Sequence, residues 1–251
     1  LSGRRAIVHV DDVGMCQATL PAFAELLAAG TVTAGSVMVP CPWFPEAAAW
    51  CRANPAADVG VHLTLTSEWS GYRWGPLSTR DPASGLLDDD GFFHRLPSAV
   101  HEQASLDAVG RELRAQLDRA VAAGIAVTHI DSHMYALFHP RLLPLYLGLA
   151  AERRLPALIQ GGAGVDHLKV LRLDGAEDSM AYVKDVFGEL KPGLTQLLLH
   201  PAIDTPELRA ITPGWRARVA EYEIFRSAEL QRFLRSCGVE LRGYRVTPWP
   251  G

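Results

Sequence analysis

The densest chemistry in the chain is an adjacent pair of carboxylates, Asp11 and Asp12, placed after the apolar run Arg5-Ala6-Ile7-Val8-His9-Val10 and before Val13-Gly14. Two like charges this close repel unless a cation or a shared proton relieves them. Other groups able to bind metals or move protons recur at the ends of three further apolar runs. They are His62 within 58–65, Asp131 and His133 after Ile130, and His200 after Leu199. An aspartate with two histidines is a mixed O/N donor set that suits Zn²⁺, admits other divalent metals and leaves positions open for water and substrate. Such a site acidifies water and polarises a carbonyl, with a nearby carboxylate as general base and a histidine as general acid, so the chemistry it suggests is hydrolysis. Each residue also has an ordinary use. An Asp-Asp pair caps a helix or makes a turn, and a histidine on an apolar strand is commonly a hydrogen-bonded core residue. Recurrence at four strand ends is what favours a shared site.

To gather those ends, the chain must supply parallel strands alternating with helices, because such folds carry their reactive groups on the loops at the carboxyl ends of the strands. The pattern fits. Strands are predicted over 5–10, 31–39, 58–65, 125–131, 155–159, 194–200 and 239–244. Helices are predicted over 17–29, 44–52, 98–123, 140–154, 176–190 and 215–236, with Gly30 and Gly124 as stops. The expectation is an α/β protein, mainly parallel, in a single domain over 1–251. A long loop insertion at about 66–97 interrupts the alternation and carries Trp69, Tyr72, Trp74, Phe92 and Phe93. A loop of this length in a compact domain is commonly a lid or binding surface. Its aromatics either offer flat faces to a sugar ring or pin the loop to the body. Gly161-Gly162-Ala163-Gly164 lacks the spacing and the lysine of a phosphate-binding loop and reads as a connection, and 203–214 reads as a loop.

Composition narrows the function classes. The 251 residues are 48% hydrophobic, enough for a large core, and the net charge of −4 leaves no basic face for nucleic acid. Cys16, Cys41, Cys51 and Cys237 are sparse and form no Cys-x-x-Cys pair, which suits a reducing compartment. No apolar run reaches the ~18 residues of a membrane span. The expectation is a cytoplasmic, soluble protein, with a homodimer left open.

Four segments together carry a resemblance: Asp11-Asp12-Val13-Gly14, Gly60-Val61-His62-Leu63-Thr64-Leu65-Thr66, Thr128-His129-Ile130-Asp131-Ser132-His133 and Leu199-His200-Pro201. In type and order they resemble the successive motifs of the YdjC-like carbohydrate deacetylases, from residue 4 to about 245. The resemblance implies a distorted TIM-type (β/α) barrel and removal of an N-acetyl group from an amino sugar or oligosaccharide, using one divalent metal, Zn²⁺ or Mg²⁺. Carried over residue by residue, it makes Asp12, His62 and His133 the metal ligands. Asp11 becomes the base, His200 the acid that protonates the leaving amine, and Asp131 a residue that orients a neighbouring ligand. His129 is then structural.

The chain also departs from that pattern. Val13 replaces the usual Phe, and His9 the common Asn. Met134, Tyr135, Ala136 and Leu137 follow Asp-Ser-His in place of further histidines, and Leu158, Ile159 and Gln160 stand where many relatives have an arginine. Tyr135 joins Trp69, Tyr72 and Trp74 as a candidate substrate contact. Two other readings stay open: hydrolysis of another amide or an ester at the same metal, and a non-catalytic carbohydrate- or metabolite-binding protein. The retained Asp11-Asp12 pair counts against the second, because binding alone needs no general base.

Overall fold

A computed structural model of the chain describes residues 3–161, 164–173 and 179–249. The elements of its first half are β1 (Arg4–Val13), α1 (Thr19–Ala29), β2 (Ala34–Val37), α2 (Phe44–Ala53), β3 (Val59–Leu63), α3 (Pro97–Gln103), α4 (Leu106–Ala122) and β4 (Ile130–Ser132). There follow α5 (Leu143–Arg153), β5 (His167–Val170), α6 (Ser179–Gly188), β6 (Gly193–Leu199), α7 (Pro206–Ile211), α8 (Trp215–Phe225), α9 (Ala228–Leu234) and β7 (Val239–Leu241). Alternating helices and parallel strands give the expected α/β fold of the distorted TIM-type class. The chain divides into two compact units, Leu1–Gly35 with Ile159–Gly251, and Ser36–Leu158.

In the first unit β1 pairs parallel with β6, from Arg4 opposite Gly193 to Val10 opposite Leu199, and its first residues also pair with β7. β6 pairs in turn with β5. Strands covered on both faces must be apolar throughout, and Ile7, Val8, Val10, Leu197, Leu198 and Leu199 are all buried. Helix α1 packs on β1 and stops at Gly30, whose φ of 71° is the left-handed region that glycine enters without cost.

In the second unit β3 and β4 pair parallel, with His62 opposite Asp131. Beyond β3 a side chain takes over the role of a strand: Gln116 of α4 accepts the Thr64 N–H at 2.9 Å and donates to the Thr64 carbonyl at 2.7 Å. One turn earlier, buried Glu112 accepts the N–H groups of Leu77 and Ser78, strapping the long loop to α4. That loop holds a short helical turn at Pro82–Ser84 and an antiparallel bridge between Leu87 and Phe93.

The expected elements were revised mostly at serine and threonine caps. The helix expected over 98–123 is two, because the Ser105 hydroxyl accepts the Ala108 N–H and restarts the chain as α4. The helix expected over 215–236 breaks the same way at Ser227, which accepts the Leu230 N–H. Within the expected loop 203–214, Thr205 caps α7 and Pro206 occupies its first turn. The strand expected over 125–131 contracts to β4, the segment 155–159 contributes only the bridge from Ala157 to Ile130, and β5 was not anticipated. Gly162, Ala163 and the start of the helix expected over 176–190 lie outside the described residues.

All four cysteines are thiols, and burial pushes those of Cys16 and Cys51 up to about 11, so both are inert at neutral pH. No helix among the described residues is long and apolar enough to cross a membrane.

Candidate active site

In the first unit the polar group is built at the ends of β1 and β6. Alternate strand residues share a face, so His9 and Asp11 are neighbours, with His9 Nδ1 2.7 Å from Asp11 Oδ1. An ionised carboxylate only accepts, which puts the hydrogen on Nδ1. The pairing of Val10 with Leu199 brings the next residues, Asp11 and His200, side by side. His200 Nε2 lies 3.8 Å from Asp11 Oδ2, within ion-pair range but beyond a hydrogen bond. The His200 side chain is 30% exposed, whereas His9 is fully buried.

Asp12 ends the strand differently. Its φ of 61° is left-handed, a region Asp enters more readily than most residues, and Gly14 at 79° completes the turn. Its Oδ2 accepts from Arg218 Nη2 at 2.8 Å. Arg218 lies on α8, and three residues on, Glu221 accepts the backbone N–H of His200. Burial pushes the Glu221 carboxyl up to about 8, against the opposing pull of that N–H and of Arg218. Neither α8 residue was found from the sequence, since Trp215–Phe225 reads there only as part of an amphipathic helix. Behind His9, the Tyr244 ring stands edge-on at 6.2 Å and its hydroxyl donates to Gln196 Oε1.

In the second unit the polar group is built at the ends of β3 and β4. The register that opposes His62 and Asp131 sets His62 Nδ1 2.8 Å from Asp131 Oδ1. Ser36 of β2 donates to Asp131 Oδ2 at 2.8 Å and lies 3.2 Å from His62 Nδ1. Two residues past Asp131, His133 has Nε2 3.0 Å from Glu68 Oε2, while its Nδ1 lies 3.3 Å from His62 Nε2. All of His62, Asp131 and His133 are buried. Ionised carboxylates only accept, so the outer nitrogen of each imidazole carries the hydrogen and the two inner nitrogens face each other. Imidazoles backed by carboxylates are the usual design for metal ligands.

The candidate substrate contacts divide. Trp74 is buried, its Nε1–H donates to the Thr66 carbonyl at 2.7 Å, and its ring stands 6.2 Å from that of His133. Trp69 and Tyr72 pack edge-on against Trp74 and stay partly exposed. Tyr135 is 39% exposed and stacks on Phe138. Met134 and Tyr135 have φ of 50° and 54°, left-handed geometry that costs about 1–2 kcal/mol per residue and turns the chain sharply after His133. His129 is fully buried beside Thr128 and against Gly60, where any Cβ would lie 2.5 Å from its Nε2. Gln160 is exposed and Val13 buried. Glu68 and Ser36, like Arg218 and Glu221, carried no sequence signal: each is a single polar residue whose partner lies far along the chain.

Comparison with known proteins adds the family. The model of the YdjC-like protein family matches residues 5–236. A carbohydrate deacetylase of Thermus thermophilus is 34% identical, covering 93% of this chain and 91% of its own, and one of Brevibacillus brevis is 31% identical over 94% and 97%. Among solved structures, a candidate cellobiose-phosphate cleavage protein of Enterococcus faecalis superposes with a TM-score of 0.84 at 24% identity, covering 97% of this chain and 98% of that one. A family 4 carbohydrate esterase of Streptomyces lividans, solved with acetate, reaches 0.51 at 12% identity over 96% and 93%. These two share the fold. The match of the family model across nearly the whole chain, with two relatives above 30% identity, makes this protein a member of the YdjC-like family.

Proposed function

We propose that this chain is a metal-dependent carbohydrate deacetylase that hydrolyses an N-acetyl group on an amino sugar or oligosaccharide. The observation that carries the metal is the contact of His62 Nε2 and His133 Nδ1 at 3.3 Å, each ring backed by a carboxylate. Asp12, His62 and His133 are the proposed ligands, and a set of two nitrogens and a carboxylate favours Zn²⁺ while admitting Mg²⁺. The sugar is carried by the family and by the names of its relatives.

When bound, the metal polarises the amide carbonyl and lowers the pKa of water. The remaining work falls to the chain. Asp11 takes a proton from the attacking water, and the His9 Nδ1–H bond fixes which of its oxygens is available for that task. On the other side of Asp11, His200 is exposed enough to reach a ligand and passes a proton to the departing amine. Asp131 and Ser36 hold the His62 ring in one orientation. Trp69, Tyr72 and Tyr135 supply partly exposed rings for the sugar faces, and Trp74 anchors the loop beneath them.

The test is acetate release from a panel of N-acetylated sugars and chitooligosaccharides, using metal-stripped protein reloaded with Zn²⁺, Mg²⁺, Mn²⁺ or Co²⁺. Metal-dependent release that disappears in Asp11→Asn is the expected result. Tight metal binding with no acetate from any member would overturn the deacetylase reading and point to another amide or ester bond.

A further inference from the structure

The long loop does more than strap itself to α4 through Glu112. Its residue Glu68 reaches His133 Nε2 at 3.0 Å, and the segment around it is built to hold that carboxylate still. The Ser67 N–H donates to the His94 carbonyl at 2.9 Å. The Ser67 hydroxyl accepts from the Trp74 N–H at 3.0 Å and from Arg73 Nε at 3.2 Å. Arg73 continues to the Phe93 carbonyl at 2.7 Å, and Trp74 Nε1 returns to the Thr66 carbonyl. Residues 66–74 therefore close on themselves, with Glu68 and Trp69 on the closed segment and the Trp74 ring beside His133.

Resting on the metal reading above, we propose that Glu68 is a positioning residue for His133: it fixes the ring so that Nδ1 is the donor and raises the affinity for the metal from within the aromatic loop. A carboxylate accepting the outer N–H of a ligating imidazole makes the inner nitrogen more basic and removes the alternative tautomer, and loss of such a partner typically weakens metal binding 10–100-fold. His62 receives the same service from Asp131, a residue of the neighbouring strand. His133 receives it from a residue of the loop that bears Trp69, Tyr72 and Trp74. Metal binding and the placement of those rings are consequently linked, and linkage is reciprocal.

The experiment is calorimetric Zn²⁺ titration of the metal-stripped full chain, unchanged and as Glu68→Ala and Glu68→Gln, with tryptophan emission followed in parallel. Thermal melting of the metal-stripped proteins establishes that each is folded. Glu68→Ala is expected to bind Zn²⁺ about 10–100-fold more weakly, with a diminished change in emission. Glu68→Gln, whose amide oxygen still accepts, recovers part of the affinity and carries the test should the alanine variant not fold. Equal Zn²⁺ affinity in the folded variants and the unchanged protein would overturn the role of Glu68 alone. Failure of the unchanged protein to bind Zn²⁺ would overturn the metal reading and this inference with it.

Discussion

The two polar groups are assembled by opposite logic. At the ends of β1 and β6 the central groups are carboxylates, Asp11 and Asp12, and nitrogen donors hold them, His9 and Arg218. At the ends of β3 and β4 the central groups are imidazoles, His62 and His133, and their partners are carboxylates, Asp131 and Glu68. A carboxylate fixed by an N–H on one oxygen keeps the other for a proton or a cation. An imidazole fixed by a carboxylate keeps one nitrogen as a lone-pair donor. On the proposed reading the first group supplies the base, Asp11, together with the carboxylate ligand Asp12, and the second supplies the two imidazole ligands.

The sharpest way to break this division is a pair of substitutions. Asp11→Asn should cut turnover by about 10²–10⁴-fold with Zn²⁺ affinity preserved, whereas His133→Ala should lose Zn²⁺ binding in calorimetry and turnover with it. If Asp11→Asn lost the metal and His133→Ala kept it, the two roles would be exchanged. A smaller loss, towards roughly 10²-fold, is expected for His200→Ala, and it should be steepest for N-acyl substrates whose amines leave poorly. A uniform loss across leaving groups would recast His200 as a residue that positions substrate.

The smallest effect concerns stability and is confined to the first group. Glu221 has its carboxyl raised from 4.5 to about 8 by burial, so the folded protein holds a proton there that the unfolded chain releases. Its contribution is fully present below about pH 4.5 and is lost as pH rises through about 8. Glu221→Gln keeps an acceptor for the His200 N–H and does not ionise. Its stability relative to the unchanged protein should therefore climb across that window, by an amount on the order of a few kcal/mol. Urea unfolding of metal-stripped protein at pH 5 to 8.5 checks this, and a difference that stays constant with pH would show that Glu221 titrates normally.

Legibility differed sharply between residues. Asp11, Asp12, His62, Asp131, His133 and His200 could be read because each ends an apolar run, and a polar residue at the close of a buried strand is conspicuous. The partners could not. Ser36 and Glu221 lie on elements whose own periodicity gives no reason to single them out, and Glu68 and Arg218 are charged residues of ordinary kinds in a loop and a helix. Helix breaks at Ser105 and Ser227 were overlooked because apolar periodicity continues on both sides, while the break itself is made by one hydroxyl accepting one N–H.

By itself, then, the order of apolar runs and turns determined an α/β chain of parallel strands, and residue type at the run ends pointed to acid–base and metal-binding chemistry. Those are local properties, written in periodicities and in donor atoms. Tertiary structure alone decided which carboxylate stands behind His9, His62 and His133, and hence which ring nitrogen of each carries the hydrogen. It also decided that Trp74 is the buried anchor while Trp69 and Tyr72, packed edge-on against it, stay partly exposed. The reason is geometric. A tautomer is selected by a hydrogen bond about 3 Å long, and His133 obtains its bond from Glu68, a residue 65 positions away along the chain.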